Sequence, residues 1–266
     1  IADATLEYAV VNSNQFELAR NFHPNIGTAF ALGPPMEIAW AFPRSTEPAL
    51  VQKAREFFER IRHNGLLQRL IDRYYGHVTR LSAMDIEHFL GRMETVLPKY
   101  RALFQQAQEL TGLDWRLLAA LAYQESQWNP LATSPTGVRG LMMLTGDTAD
   151  RMRVSDRLDA RQSILAGSRY LQDLREQLPS SIQEPDRTWL ALAAYNLGFG
   201  HLQGGRALAQ ARKLNPDTWL DMKKMLPLLS RPEYAARLKS GAARGGEAVI
   251  MTENIRTYYD ILAKHK

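Results

Sequence analysis

From His77 to the end of the chain every long apolar stretch repeats at the helical interval, and no strand-like alternation interrupts it. A run of that length with one periodicity restricts the second part of the chain to an all-α unit. Before it the texture differs. Leu6-Glu7-Tyr8-Ala9-Val10-Val11, Ile26 to Leu32 and Met36 to Phe42 read as three short strands separated by Asn, Gly and Pro clusters. From Pro48 the period is helical, with Leu50, Ala54, Phe57, Phe58 and Ile61 on one face, and Gly65 opens a second helix that ends near Tyr75-Gly76. The natural cut falls between residues 76 and 84. We therefore expect a mainly α protein: residues 1–80 a partial α/β segment, since three strands are few for an independent sheet, and residues 81–266 an all-α domain.

At 266 residues there is chain enough for two such units. No apolar run reaches the roughly 18 residues of a membrane-spanning helix, and the start lacks a basic-then-apolar leader. We expect a soluble chain whose targeting segment or membrane anchor, if it has one, lies outside residues 1–266. The absence of cysteine excludes disulfides and thiolate metal sites, and the six histidines show no metal-binding pairing, so no metal and no cofactor is expected. A net charge of +5 favours an anionic partner without choosing one.

One helix carries the chemistry. In Thr111-Gly112-Leu113-Asp114 the glycine can close the helix over Leu97 to Leu110, and Asp114 can cap the next. Leu117, Leu121 and Glu125 then fall at successive i, i+4 positions, which places a carboxyl on the core-facing stripe. Trp128-Asn129-Pro130 must end that helix just afterwards. Partial burial and the negative end of the helix dipole both raise the pKa of such a glutamate, which lets it donate a proton near neutrality. Downstream, Ala132 to Gly137 reads as a polar turn, Gly140 as a close approach of backbone, and Asp147 as the cap of a further helix. Met142 and Met143 suit a core. Thr188 to Asn196 is an apolar helix rich in alanine that ends in Tyr195 and Asn196.

In order and spacing, Glu125-Ser126, Ser134-Pro135-Thr136-Gly137, Gly140-Leu141-Met142, Ala194-Tyr195-Asn196 and Glu253-Asn254-Ile255-Arg256-Thr257-Tyr258 resemble the goose-lysozyme-like lytic transglycosylases of glycoside hydrolase family 23. The resemblance covers residues 84–266 and implies a lysozyme-like fold that cleaves the β-1,4 bond between N-acetylmuramic acid and N-acetylglucosamine, leaving a 1,6-anhydro end. It implies Glu125 as the acid/base and Ser126, Ser134, Gly140, Met142, Met143, Tyr195, Asn196 and Tyr258 as substrate-binding residues, with Tyr259 the alternative for the last. Met143 departs from the family's usual Gln, so one polar contact to substrate is lost or supplied elsewhere. Pro43 to Gly76 resembles the end of a family 3 periplasmic solute-binding domain, which implies a small ligand or peptide for the longer protein. The implied partners are peptidoglycan glycan strands and muropeptides, in the periplasm at the outer membrane.

Three rivals follow from the same residues. A goose-type lysozyme on the same fold would release reducing ends through water. A binding-only sensor would use the first unit alone. A nucleic-acid binder would use Arg151-Met152-Arg153 and Arg237 to Arg244, but no recognition helix or stacking platform accompanies those cations, and no nucleic-acid partner is expected.

Overall fold

A computed structural model describes residues 1, 5–34, 38–78, 81–236 and 241–265. It divides into two compact units, Ile1–Met84 and Asp85–Lys266.

The first unit holds three helices among its described residues: α1 (Ser13–Arg20), α2 (Pro48–His63) and α3 (Leu66–Tyr75). Asn12 caps α1 by accepting from the Gln15 amide at 2.8 Å. Between α2 and α3 the chain turns through Gly65 at φ +72°, a left-handed conformation that glycine adopts without strain. Trp40, Phe57 and Phe58 form an aromatic trio, with Trp40 edge-on to Phe58 at 4.8 Å. The three expected strands are not formed. Leu6 to Val11 and Ile26 to Leu32 are unpaired coil, as are the described residues of the third segment, Ile38 to Phe42; Met36 and Glu37 lie outside the described residues. A strand is stable only when a neighbour takes up its backbone donors and acceptors and its apolar face is covered. Here Leu6, Tyr8 and Val10 are 63%, 75% and 82% exposed, so the alternation has nothing to pack upon. The partial α/β reading of residues 1–80 is corrected to a helical segment with extended flanks. Around Asn12, a polar cluster read as a strand-ending turn is a helix cap.

Apart from two isolated β-bridges, the regular elements among the second unit's described residues are all helices, in line with its periodicity. It comprises α4 (Ala83–Thr95), α5 (Arg101–Thr111), α6 (Trp115–Ser126), α7 (Gly146–Arg151), α8 (Ala160–Glu176), α9 (Asp186–Leu197), α10 (Phe199–Ala211), α11 (Trp219–Met225), α12 (Pro232–Ala235) and α13 (Gly245–Lys264), with 3₁₀ turns at Leu97–Lys99 and Leu226–Ser230. Gly112 ends α5 at φ +72°, and the Asp114 carboxylate accepts from the Arg116 amide at 2.9 Å to start α6, as the sequence predicts. At α7 the cap is Thr145, whose hydroxyl accepts from the Thr148 amide; Asp147 instead sits in the first turn, where its charge complements the dipole.

Helix α13 packs against α6 and α9, α5 against α6 and α8, and α8 against α9. Leu118, Leu121, Leu190, Leu192, Phe104 and Ile255 are fully buried in that arrangement. Each such side chain contributes about 1.5–3 kcal/mol, which sets the helix pairing. On α9 the buried Ala191, Ala193 and Ala194 let its neighbours approach closely. A buried polar knot fastens α13 to α11: Glu253 accepts from the Trp219 indole at 2.5 Å and from Arg256 at 2.6 Å, with Lys223 3.6 Å from its other oxygen. Arg256 also lies over the Trp189 ring of α9, 5.5 Å from its centre.

Candidate active site

Glu125 sits in the last turn of α6, half-buried, one turn beyond the fully buried Leu121. No protein group among the described residues hydrogen-bonds its carboxyl. Loss of hydration pushes its pKa from the ordinary 4.5 up to about 8, and the carbonyl end of α6 acts in the same direction. The group therefore holds its proton at neutral pH while remaining able to give it up.

The segment after α6 is folded back beside it by main-chain bonds. Ser134 and Val138 are joined at 3.0 Å, Gly140 donates to Ala132 at 2.9 Å, and Arg139 and Leu144 exchange bonds of 3.1 and 2.9 Å. Arg157 donates to the carbonyls of Gly137 and Leu144, both at 2.9 Å. Gly140 is needed sterically: its φ is +83°, and an added Cβ would stand 1.8 Å from the Arg157 carbonyl oxygen. The Ser126 hydroxyl donates to the Leu141 carbonyl at 2.8 Å and so pins this loop to the turn that carries Glu125.

Tyr195 arrives from the C-terminal end of α9. Its hydroxyl donates to the Met142 carbonyl at 2.8 Å, and its ring meets that of Tyr170 on α8, centres 5.2 Å apart. Burial first, and then the nearby charge of Glu125, raise the Tyr195 pKa well above 10. The phenol is thus a permanent neutral donor beside the acid. Met142 contributes its backbone; its side chain is fully buried against Gly167, and its amide is held by Ser163 at 3.1 Å. Met143 is half-buried at φ +47°.

The structure thus gathers Glu125, Ser126, Gly140, Met142 and Tyr195. Other expected residues stand apart. The Ser134 hydroxyl is engaged within its own turn, 2.9 Å from Thr136 Oγ1 and accepting from the Thr136 and Val138 amides. Asn196 is exposed. Tyr258 is buried against Phe89 and Tyr123, with ring centres at 4.5 and 4.8 Å, and Tyr123 lies about 200° around α6 from Glu125. Burial, then Tyr123 and Asp85, raise the Tyr258 pKa. Tyr259 donates to Asp114 at 3.0 Å, at the opposite end of α6. Sequence reasoning missed Tyr170, for which only the helical spacing around it gave a cue, and Trp128, whose indole donates to the Ala119 carbonyl at 2.8 Å.

Among the described residues no second carboxylate acts on Glu125: burial is the cause of its shift, Asp114 caps the far end of α6, and Asp147 and Asp150 are exposed on α7. No group of three or more His, Cys, Asp or Glu among the described residues could hold a metal. One proton donor, a neutral phenol and a loop of fixed backbone can protonate a leaving oxygen, but they offer no side-chain nucleophile.

In comparison with known proteins, residues 102–219 match the model of the family described as Transglycosylase SLT domain. Over its whole length the chain is 56% identical to the Membrane-bound lytic murein transglycosylase F of Methylobacillus flagellatus and 54% identical to that of Nitrosospira multiformis, and it spans 56% of each. It is 55% identical over 255 residues, 96% of this chain, to the protein of the same description from Thiobacillus denitrificans, of which it spans 54%. The chain therefore covers little more than half the length of these relatives.

Proposed function

We propose, on the premise that residues 102–219 are a transglycosylase SLT domain, that this chain is the catalytic part of a lytic murein transglycosylase with Glu125 as its acid/base. The substrate is the peptidoglycan glycan strand, and the bond cut is the β-1,4 link between N-acetylmuramic acid and N-acetylglucosamine. Glu125 protonates the glycosidic oxygen. Its carboxylate then takes the proton of the muramoyl C6 hydroxyl as that oxygen closes onto the anomeric carbon, giving the 1,6-anhydro sugar without net consumption of water. The observation that carries this reading is the solitary glutamate with its pKa raised to about 8 beside Tyr195.

Most glycosidases use two carboxyl groups, one as acid and one as base or nucleophile. With a single carboxyl, the second role falls to the substrate, and the C6 hydroxyl is held within the same ring. General acid catalysis supplies about 10²–10⁴-fold, and the intramolecular nucleophile adds to it. Glu125→Gln should lower the rate of release from purified sacculi at least a hundredfold. Mass spectrometry of the wild-type products should show anhydro ends, lighter by one water than reducing ends; reducing ends alone would instead assign the chain to lysozyme-type hydrolysis.

Ser126, Gly140, Met142 and Tyr195 shape the substrate-facing wall in this reading, with Ser134, Met143, Asn196 and Tyr258 as further candidates for sugar or peptide contacts. A periplasmic location with attachment to the outer membrane fits this reading; the word membrane-bound in the relatives' description supports the membrane association. Residues 1–80 are read as a fragment of a solute-binding-like domain that takes a small ligand or peptide; the likeness of Pro43 to Gly76 to such domains supports it.

A further inference from the structure

We propose that Arg92 of α4 is a positioning residue for Glu125, because together with Trp128 it locks the left-handed two-residue turn that ends α6. The proposal rests on the reading of Glu125 as the acid. It extends the catalytic apparatus to a helix that lies before the matched region of residues 102–219.

The two residues after Ser126 both have positive φ, Gln127 at +52° and Trp128 at +58°. Neither is glycine, and side-chain-bearing residues avoid this region because Cβ crowds the backbone. Such a conformation persists only where its surroundings over-determine it. Two side-chain contacts do so here. The Arg92 Nε–H donates to the Gln127 carbonyl at 2.9 Å, satisfying an acceptor that the helix terminus leaves open. The Trp128 indole donates back to Ala119, while its ring is buried between Phe89, centres 5.6 Å apart, and Tyr123, 4.9 Å apart. Phe89 and Arg92 stand three residues apart on α4 and so share one face, which grips the end of α6 from a single side. Ser126 anchors the same turn to Leu141. Glu125 is the residue immediately before this clamp.

Without the Arg92 bond the Gln127 carbonyl is free to turn to water, and the residue relaxes out of the left-handed region. The last turn of α6 then frays, and the Glu125 carboxyl gains hydration and loses its aim. Tyr195 on α9 feels the charge of Glu125, whereas the Arg92 guanidinium on α4 acts on Tyr123 and is no cause of the raised Glu125 pKa. The sign separates two roles. Removing a nearby cation as such raises a carboxyl pKa, whereas hydrating the carboxyl lowers it.

The test uses the full chain with Arg92→Met, Arg92→Lys, Gln127→Gly and the Arg92→Met/Gln127→Gly pair. It measures kcat and KM on peptidoglycan, and follows Glu125 titration as the NMR difference between each ¹³C-glutamate-labelled variant and its Glu125→Gln counterpart. Arg92→Met should lower kcat about tenfold to a hundredfold with KM unchanged, and should move the Glu125 midpoint down from about 8 toward 4.5. Arg92→Lys keeps the charge but not the planar Nε–H, and should behave the same way. Gln127→Gly, which takes up positive φ freely, should restore most of the kcat lost in Arg92→Met. A midpoint that stays or rises, an Arg92→Lys variant with wild-type behaviour, or a glycine that restores nothing overturns the proposal. Full activity in Glu125→Gln would instead overturn the acid/base reading, while the titrations would still judge the clamp.

Discussion

At neutral pH the Glu125 carboxyl keeps its proton because the fold withholds water from it, and that same withholding costs stability as pH rises above the ordinary glutamate value. In the unfolded chain a glutamate ionises near 4.5; in the folded protein it ionises near 8. Below 4.5 the group is neutral in both states and costs nothing. Between the two values the unfolded chain has lost the proton while the native state retains it, so stability falls by about 1.4 kcal/mol per pH unit until about pH 8. Glu125→Gln removes this penalty. Thermal melts should show the variant and the wild type alike near pH 4, with the variant more stable by about 10–20 °C at pH 9; equal melting at pH 9 would mean that the carboxyl is hydrated. That the glutamate would be half-buried was legible in the Leu117, Leu121, Glu125 spacing. The role of Met142 was not, because its side chain packs in the core and its carbonyl alone meets Tyr195; residue type says nothing of which backbone oxygen a neighbour will use.

Helix α6 is the element on which the site depends, and both of its ends are held from outside. At the start, the Asp114 carboxylate accepts from the Arg116 amide and side chain and from the Tyr259 hydroxyl. Burial alone would raise its pKa, but the hydrogen bonds from Arg116 and Tyr259 outweigh it and hold the carboxyl below 3.8. Its stabilisation is therefore present above that value and is lost as pH falls through the lower, folded one. Asp114→Ala should lower stability by about 1–2 kcal/mol at pH 7, read as a reduced melting temperature, and the difference from wild type should shrink in strong acid. Gly112 and Asp114 announced this boundary in the sequence, and Asn129-Pro130 announced the other. The left-handed turn between Ser126 and Asn129 carried no such mark, since Gln127 and Trp128 are not residues that favour positive φ. Tertiary contact imposes it, from Arg92 and Phe89, more than thirty positions earlier. The strands expected in the first unit failed for the opposite reason: their pattern was sound, but no strand among the described residues pairs with them.

Over the whole molecule the two units differ in how far their apolar residues are covered. Residues 5–12 and 26–34 hold no regular element and expose Leu6, Tyr8, Val10, Phe30 and Leu32, whereas the helices from α4 onward enclose a continuous core. Limited proteolysis should therefore cut first before α2 and leave a resistant fragment that includes α4 to α13, identified by mass; first cuts within α6 or α9 would contradict this division. The helical character of the later part could be read from periodicity, because its helices bury their stripes against neighbours in the same chain. An electrostatic consequence follows for the choice of inhibitor. The chain carries a net charge of +5, so it repels cations in general, and at pH 7 the protonated Glu125 offers them no compensating attraction. A basic iminosugar that keeps its own proton up to pH 9 should bind weakly at pH 7 and more tightly once the carboxyl ionises, so its affinity should be screened in alkaline buffer.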